Sequence, residues 1–219
     1  VIGGSRGLGL ATVRKLLEEG IPVIAVHRDR RTLWPEVDAA FSTFKKLPAA
    51  FHSIRGDAIA ATHRMKILET IASILGTHGK IGFLVNSLAR GNVKPMVSDG
   101  RHPSLTEADL KVTGEAMGTN VFAWVQAIDQ KGLFSEDTRV IAFTSEGSRR
   151  VLAGYGAVAA AKASMEAIIR QIAVEYAPKG IRANCIQAGV TDTDSLRMIP
   201  NSEAILKASQ KRNPFQRLT

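Results

Sequence analysis

The chain has 219 residues, 45% of them hydrophobic, with a net charge of +9 and a single cysteine. That length and apolar fraction suffice for one well-packed domain and fall short of two large ones. No apolar run approaches the roughly 20 residues of a membrane-spanning helix, and the start lacks the charged, apolar and small-residue pattern of a signal peptide, so a soluble cytoplasmic protein is expected. Basic residues are scattered, with small clusters at 28–31, 149–150 and 207–212, and no nucleic-acid-binding motif accompanies them, so no nucleic-acid partner is expected. The five histidines show no ligand spacing, which with one cysteine and no carboxylate cluster argues against a metal site. Cys185, in the stretch Ala183-Asn184-Cys185-Ile186, is read as a small buried hydrophobe.

Along the chain, short apolar runs alternate with longer amphipathic stretches, which predicts βαβ units and a parallel sheet. Strands are expected at 22–26, 50–55, 81–86, 139–144 and 182–187, and helices at 9–19, 61–75, 107–129 and 156–176. Gly20, Gly79 and Gly180 follow helical runs, where glycine takes the left-handed conformation that ends a helix. The polar stretch 91–104, with two glycines and two prolines, reads as a surface loop. Val1-Ile2 reads as the end of a first strand and a further strand is expected after Thr219, so both ends read as incomplete.

Gly3-x-x-x-Gly7-x-Gly9 follows the apolar pair Val1-Ile2 and opens a helical pattern. In that context the glycines permit a tight turn and close approach of backbone to a pyrophosphate, whose charge is favoured at a helix N-terminus. The fold class this implies is α/β: a doubly wound (Rossmann-type) parallel sheet with helices on both faces, in a single domain. Gly3, Ser5, Arg6, Gly7, Leu8 and Gly9 are then the dinucleotide cradle. The second strand ends in His27-Arg28-Asp29-Arg30-Arg31, where such a fold recognises the adenosine ribose. Asp29 argues for a 2′-hydroxyl, whereas Arg28, Arg30 and Arg31, with Arg6 in the loop, argue for a 2′-phosphate. The balance favours NADPH over NADH.

Tyr155 and Lys162 stand seven residues apart in a helical pattern. Seven steps of an α-helix return to within about 20° of one direction and advance roughly 10 Å, which suits an acid and a cofactor-holding cation on one face. Ser145 lies ten residues before the tyrosine at the end of an apolar strand, where its hydroxyl can touch a substrate carbonyl.

Taken together, Gly-Gly-Ser-Arg-Gly-Leu-Gly at 3–9, Gly56-Asp57-Ala58, Leu84-Val85-Asn86-Ser87-Leu88-Ala89, Thr119-Asn120-Val121, Phe143-Thr144-Ser145, Tyr155 with Lys162 and the run Ala188-Gly189-Val190-Thr191-Asp192-Thr193 resemble the short-chain dehydrogenase/reductase family over nearly the whole chain. The resemblance implies that Asp57 and Ala58 contact adenine, that Asn86 borders the cofactor and that Asn120 supports the lysine through a water. It further implies that Gly189, Thr191 and Thr193 cover the nicotinamide, with 191–212 a mobile lid and Asp192 and Asp194 acting as caps or loop anchors. Three features depart from the common pattern: Val158 stands where most members carry tyrosine, Asn-Ser-Leu-Ala replaces Asn-Asn-Ala-Gly, and Ala188 replaces proline before Gly189. The longer Tyr-to-Lys step, with Ser145-Glu-Gly-Ser-Arg-Arg and Asp192-Thr-Asp-Ser-Leu, is similar to the NADPH-dependent type III enoyl-acyl-carrier-protein reductases.

That subgroup implies reduction of trans-2-enoyl thioesters in fatty acid biosynthesis, carrier-bound substrate and a homodimer or homotetramer. Tyr155 would hydrogen-bond the thioester oxygen, and Lys162 would hold the nicotinamide ribose and lower the phenol pKa. Arg149, Arg150, Arg197, Lys207 and Lys211 are candidates for docking an acidic carrier protein. A carbonyl or 3-oxoacyl-thioester reductase and a non-catalytic NADPH-binding regulatory protein stand as alternatives.

Overall fold

The structure is a computed structural model, and it describes residues 1–98, 100, 102–199 and 201–218. Its elements run α1 (Gly7–Glu18), β1 (Val23–His27), α2 (Trp34–Ser42), β2 (Phe51–Arg55), α3 (Ala61–Leu75), β3 (Ile81–Asn86), α4 (Glu107–Gly114), α5 (Asn120–Gln130), β4 (Phe134–Thr144), α6 (Gly156–Glu175), β5 (Ile181–Gln187), α7 (Asp194–Arg197) and α8 (Ser202–Arg212). The expected α/β architecture is present: strands alternate with helices in a parallel, Rossmann-type arrangement.

Four local expectations are corrected. The stretch 107–129 is not one helix: α4 gives way to a π turn over Glu115–Thr119 before α5 starts. Gly118 lies inside that turn, and a Cβ there would sit 3.2 Å from the Ala161 carbonyl, so the wide turn belongs where two helices approach closely. Strand β4 begins at Phe134 rather than 139, because its polar start is held by bonds no hydropathy pattern registers. Thr138, fully buried, donates to the Ile81 carbonyl at 2.9 Å, and Arg182 pairs with Asp137. Helix α2 was not expected; proline stands in its first turn and Val37 and Phe41, one turn apart, are its buried face. Gly76, with φ +65°, ends α3 in place of Gly79, while Gly20 and Gly180 take the positive φ expected of them.

The chain divides into two compact units. The first comprises Val1–Leu88, Phe122–Ile141 and Ile172–Ala183. Within it β1 and β2 pair in parallel, Val23 opposite Phe51 and His27 opposite Arg55. Ile2 forms parallel bridges to both Val26 and Asn86, so the chain enters the glycine loop from between two strand ends. The core sets Val13 and Leu17 of α1 with Val23 and Ala25 of β1, and with Val37, Phe41 and Phe44. Phe51 meets Phe41 at 4.9 Å and Phe44 at 5.0 Å, both edge-on. Trp124, almost fully buried, donates its indole N–H to the Ala58 carbonyl at 2.9 Å.

The second unit comprises Ala89–Val121, Ala142–Gln171 and Asn184–Thr219. Helix α6 buries Ala157, Val158, Ala161, Met165 and Ile169 there, an apolar stripe at helical spacing. Thr106 and Asp109 close a capping box at the start of α4, and Lys94 pairs with Asp109 at 2.9 Å. The expected loop 91–104 has no regular structure among its described residues; Asp99 and Arg101 lie outside them.

Candidate active site

In the first unit, the glycine loop is shaped by what a side chain would hit. Gly3 has φ +83°, donates its N–H to the Val26 carbonyl at 2.8 Å, and a Cβ there would lie 2.7 Å from the Ser87 carbonyl oxygen. A Cβ on Gly9 would overlap the Gly3 carbonyl, so the loop closes on itself only with glycine at both positions. Helix α1 then starts at Gly7 with no side-chain cap and no acid in its first turn. Its N-terminal amides and helix dipole are set for an anion. Asn86 at the end of β3 is buried, and its Oδ1 accepts no hydrogen bond among the described residues. The closed glycine cradle, the uncapped helix end and the unsatisfied amide oxygen together fit a dinucleotide.

At the adenosine side the two opposed signals in His27-Arg28-Asp29 separate. Asp29 turns inward: its side chain is 4% exposed, Oδ1 accepts from Ser5 Oγ at 3.1 Å and faces Arg6 Nε at 3.5 Å, and Oδ2 meets His27 Nδ1 at 2.6 Å. Arg28 points outward and pairs with Asp57, whose Oδ1 also accepts the Ile59 N–H at 2.9 Å. Burial pushes the Asp57 carboxyl up, but the Ile59 amide and the Arg28 charge outweigh it and hold the group below the usual carboxylate range.

In the second unit, the end of β4 and the start of α6 bring Ser145 and Tyr155 together. Ser145 follows β4 and opens a 3-10 turn, Glu146–Ser148, by accepting the Gly147 N–H at 3.2 Å. Tyr155 precedes α6 and is not inside it; its carbonyl accepts the Ala159 N–H and its hydroxyl donates to Ser145 Oγ at 3.4 Å. Gly147 makes room for the ring, since a Cβ there would sit 2.6 Å from Tyr155 Cε1. Lys162, buried in α6, donates to the Phe143 carbonyl at 2.6 Å.

Burial pushes the Lys162 ammonium down to about 8, opposed by the negative charge available at Cys185 and Glu166. The expectation that Lys162 lowers the phenol pKa is corrected. Burial raises the Tyr155 hydroxyl, and the relief comes from the Ser145 bond. Asn120, also buried, starts α5 at the end of the π turn. Val158 packs where a Cβ on Gly91 would meet its Cγ2 at 2.9 Å, alongside Met117 and Thr113. The position four residues before the lysine is therefore apolar packing.

Glu166 is a residue that sequence reasoning missed. One turn beyond Lys162, it accepts hydrogen bonds from Thr144 Oγ1 at 2.6 Å and Ser148 Oγ at 2.7 Å, and meets Arg149 at 3.5 Å. Burial pushes its carboxyl up, and the two hydroxyls with Arg149 more than offset that, leaving it below its ordinary range. A lone acid in an otherwise apolar helix stripe was the available signal. Cys185 is half-buried rather than buried, and burial pushes its thiol up.

The segment expected as a lid folds into α7 and α8; Pro200 lies outside the described residues. Thr191 donates to the Gly189 carbonyl at 3.1 Å, and Thr193 caps α7 by accepting the Leu196 N–H at 3.3 Å. Asp192 anchors the loop through a two-pronged pair with Arg197 at 2.9 Å. Of the basic residues expected to face a carrier, Arg149 pairs with Glu166, Arg150 with Glu146 and Arg197 with Asp192, while Lys207 and Lys211 are exposed on α8. Among the described residues no helix is long and apolar enough to cross a membrane, and no cluster of His, Cys, Asp and Glu could hold a metal.

The chain is an oxidoreductase of the short-chain dehydrogenase/reductase type. The family model described as Enoyl-(Acyl carrier protein) reductase matches residues 3–219, and the chain belongs to that family. It is 24% identical to a 1-cyclohexenylcarbonyl-CoA reductase of Streptomyces collinus over 94% of this chain and 68% of the relative. It is 29% identical to Enoyl-[acyl-carrier-protein] reductase [NADH] 2 of Rhizobium meliloti over 64% of this chain, and spans half the length of that relative. A 3-oxoacyl-[acyl-carrier-protein] reductase of Chlamydia pneumoniae is 25% identical over 89% of this chain and 73% of its own. In fold, the chain resembles a Bacillus cereus enoyl-acyl carrier protein reductase solved with NADP+ and an indole naphthyridinone, with TM-score 0.82 and 22% identity over 99% of this chain and 81% of that one.

Proposed function

We infer that the protein reduces the carbon–carbon double bond of trans-2-enoyl thioesters with NADPH. One observation carries the reading: the phenol at Tyr155 meets Ser145, while the position four residues before Lys162 is the buried Val158. The acid therefore stands a helical turn earlier than in the common family pattern, a step similar to that of the enoyl reductases.

The cofactor, when bound, would supply a hydride to the β-carbon, with negative charge carried on the thioester oxygen until the α-carbon takes a proton from solvent. Tyr155 donates a hydrogen bond to that oxygen, stabilising charge as it develops. Ser145 orients the phenol through their mutual bond. Lys162 is assigned to the nicotinamide ribose hydroxyls, its ammonium kept in place by the Phe143 carbonyl. Asn120 supports the lysine through a water, Gly189, Thr191 and Thr193 cover the nicotinamide, and 191–212 closes over the acyl chain. Arg28 takes the 2′-phosphate by exchanging Asp57 for it, which is the basis for NADPH; Asp57 and Ala58 border the adenine.

The substrate is delivered on an acyl carrier protein, in fatty acid biosynthesis, to a homodimer or homotetramer. The test is NADPH oxidation with crotonyl and longer enoyl thioesters beside a panel of ketones and 3-oxoacyl thioesters, with product identification. Saturated thioester from the enoyl substrates supports the reading. Activity confined to ketones or 3-oxoacyl thioesters overturns it, and so does cofactor binding without any turnover.

A further inference from the structure

We propose that His27 is a specificity-determining residue for the cofactor, acting by holding Asp29 beneath the glycine loop so that its carboxylate does not face the adenosine ribose. The inference rests on the NADPH reading above and adds the device that enforces it. Asp29 stands 20 positions beyond Gly9, where an acid would serve a ribose 2′-hydroxyl. Its carboxylate is occupied instead. Carboxylate oxygens only accept, so the 2.6 Å contact puts the ring hydrogen on His27 Nδ1, with Ser5 Oγ and Arg6 Nε on the other oxygen.

His27 is itself fixed. It is the last residue of β1, 4% exposed, and its ring stands edge-on to Phe41 with centroids 5.2 Å apart. The Asp29 carbonyl is tied as well, by the Trp34 indole N–H at 3.1 Å. Turning Asp29 outward would break its side-chain bonds together and leave His27 Nδ1 buried without an acceptor, a cost no surface bond to a ribose hydroxyl repays. With the acid withheld, the most exposed of the paired side chains around this strand end are cationic, while Asp57, the partner of Arg28, is 19% exposed. Arg28 is 57% exposed and Arg6 40%. A 2′-phosphate matches that surface and a bare 2′-hydroxyl does not.

The experiment uses the full chain and two fragments of the cofactor, 5′-ADP and 2′,5′-ADP, with dissociation constants measured by calorimetry and folding checked by thermal melting. His27→Phe keeps the ring against Phe41 and removes the donor. The ratio of 5′-ADP to 2′,5′-ADP dissociation constants is expected to fall about tenfold, as a freed carboxylate opposes the phosphate and serves the hydroxyl. His27→Asn, whose amide offers a donor near the same point, and the double variant His27→Phe with Asp29→Asn are expected to stay within about twofold of wild type. Asp29→Asn alone is expected to leave 5′-ADP binding unchanged, which checks the inward placement of Asp29 even where His27→Phe does not fold.

A ratio unmoved by His27→Phe in folded protein overturns the proposal, as does a ratio that Asp29→Asn fails to restore. A loss of 5′-ADP binding in Asp29→Asn overturns it too, because Asp29 would then face the ribose. Failure of the NADPH reading looks different: wild type itself would bind 5′-ADP better than 2′,5′-ADP.

Discussion

Lys162 donates to the Phe143 carbonyl at 2.6 Å while buried in α6, so the cation is held by strand-end backbone and only partly repaid for leaving water. Its folded pKa of about 8 lies below its ordinary 10.5. The unfolded chain therefore binds more protons between those values, and stability should rise with pH across that window. Below about 8 the burial cost is fully present, on the order of 3 kcal/mol from the shift alone. Lys162→Met should accordingly stabilise the fold at pH 7, by a net of about 1 kcal/mol once the lost bond to Phe143 is counted, and raise the melting temperature. The gain should vanish near about pH 9 and turn into a loss towards pH 10.5, and turnover should fall at least about 100-fold at every pH. Paired melting curves and rates across that range check both.

Tyr155→Phe removes one long hydrogen bond of 3.4 Å and leaves the ring against Gly147. Stability should change by less than about 1 kcal/mol, while kcat on enoyl thioesters falls about 100-fold or more with little change in KM. Circular dichroism melts beside steady-state kinetics separate the two effects.

Restoring the common family pattern should not work. Val158 is buried against the space of Gly91, Met117 and Thr113, so Val158→Tyr overpacks it and should cost about 1–3 kcal/mol. Placed in the Tyr155→Phe background, it should regain neither enoyl nor carbonyl reduction. Turnover on either substrate class would show that the helix can supply the phenol from that position.

Glu166 collects the Thr144 and Ser148 hydroxyls behind Ser145. Its folded pKa is depressed from 4.5, so the stability it contributes is present above about pH 4.5 and is lost as pH falls through the folded value. Glu166→Gln, which keeps an acceptor, should lower the melting temperature at pH 7 by only a few degrees, with the difference shrinking below pH 4.5. Glu166→Ala leaves both hydroxyls without that acceptor and should cost about 2–3 kcal/mol.

Gly147→Ala places a methyl 2.6 Å from the Tyr155 ring. The turn is short and the ring is packed, so the phenol must move. A kcat loss approaching that of Tyr155→Phe is expected, without loss of binding for 2′,5′-ADP, which titration of the folded variant measures.

Much of this molecule could be read from local pattern. The alternation of apolar runs, the three spaced glycines after Val1-Ile2 and the seven-residue step from Tyr155 to Lys162 are each properties of a few neighbouring residues. Those placed β3 and α3 at their observed bounds and brought Ser145 and Tyr155 within reach of each other. What depended on partners distant in sequence was not readable. The polar half of β4 is strand because Thr138 reaches Ile81, and the break after α4 falls where Gly118 meets Ala161. Arg28 and Asp29 are adjacent in sequence and give contrary signals about the ribose. Only the tertiary structure decided which one faces out, because the buried His27 and Ser5, with the more exposed Arg6, complete the bonds of Asp29 and Arg28 has its partner at the surface. A charged side chain settles where its bonds can be completed, and that depends on groups the local sequence does not contain.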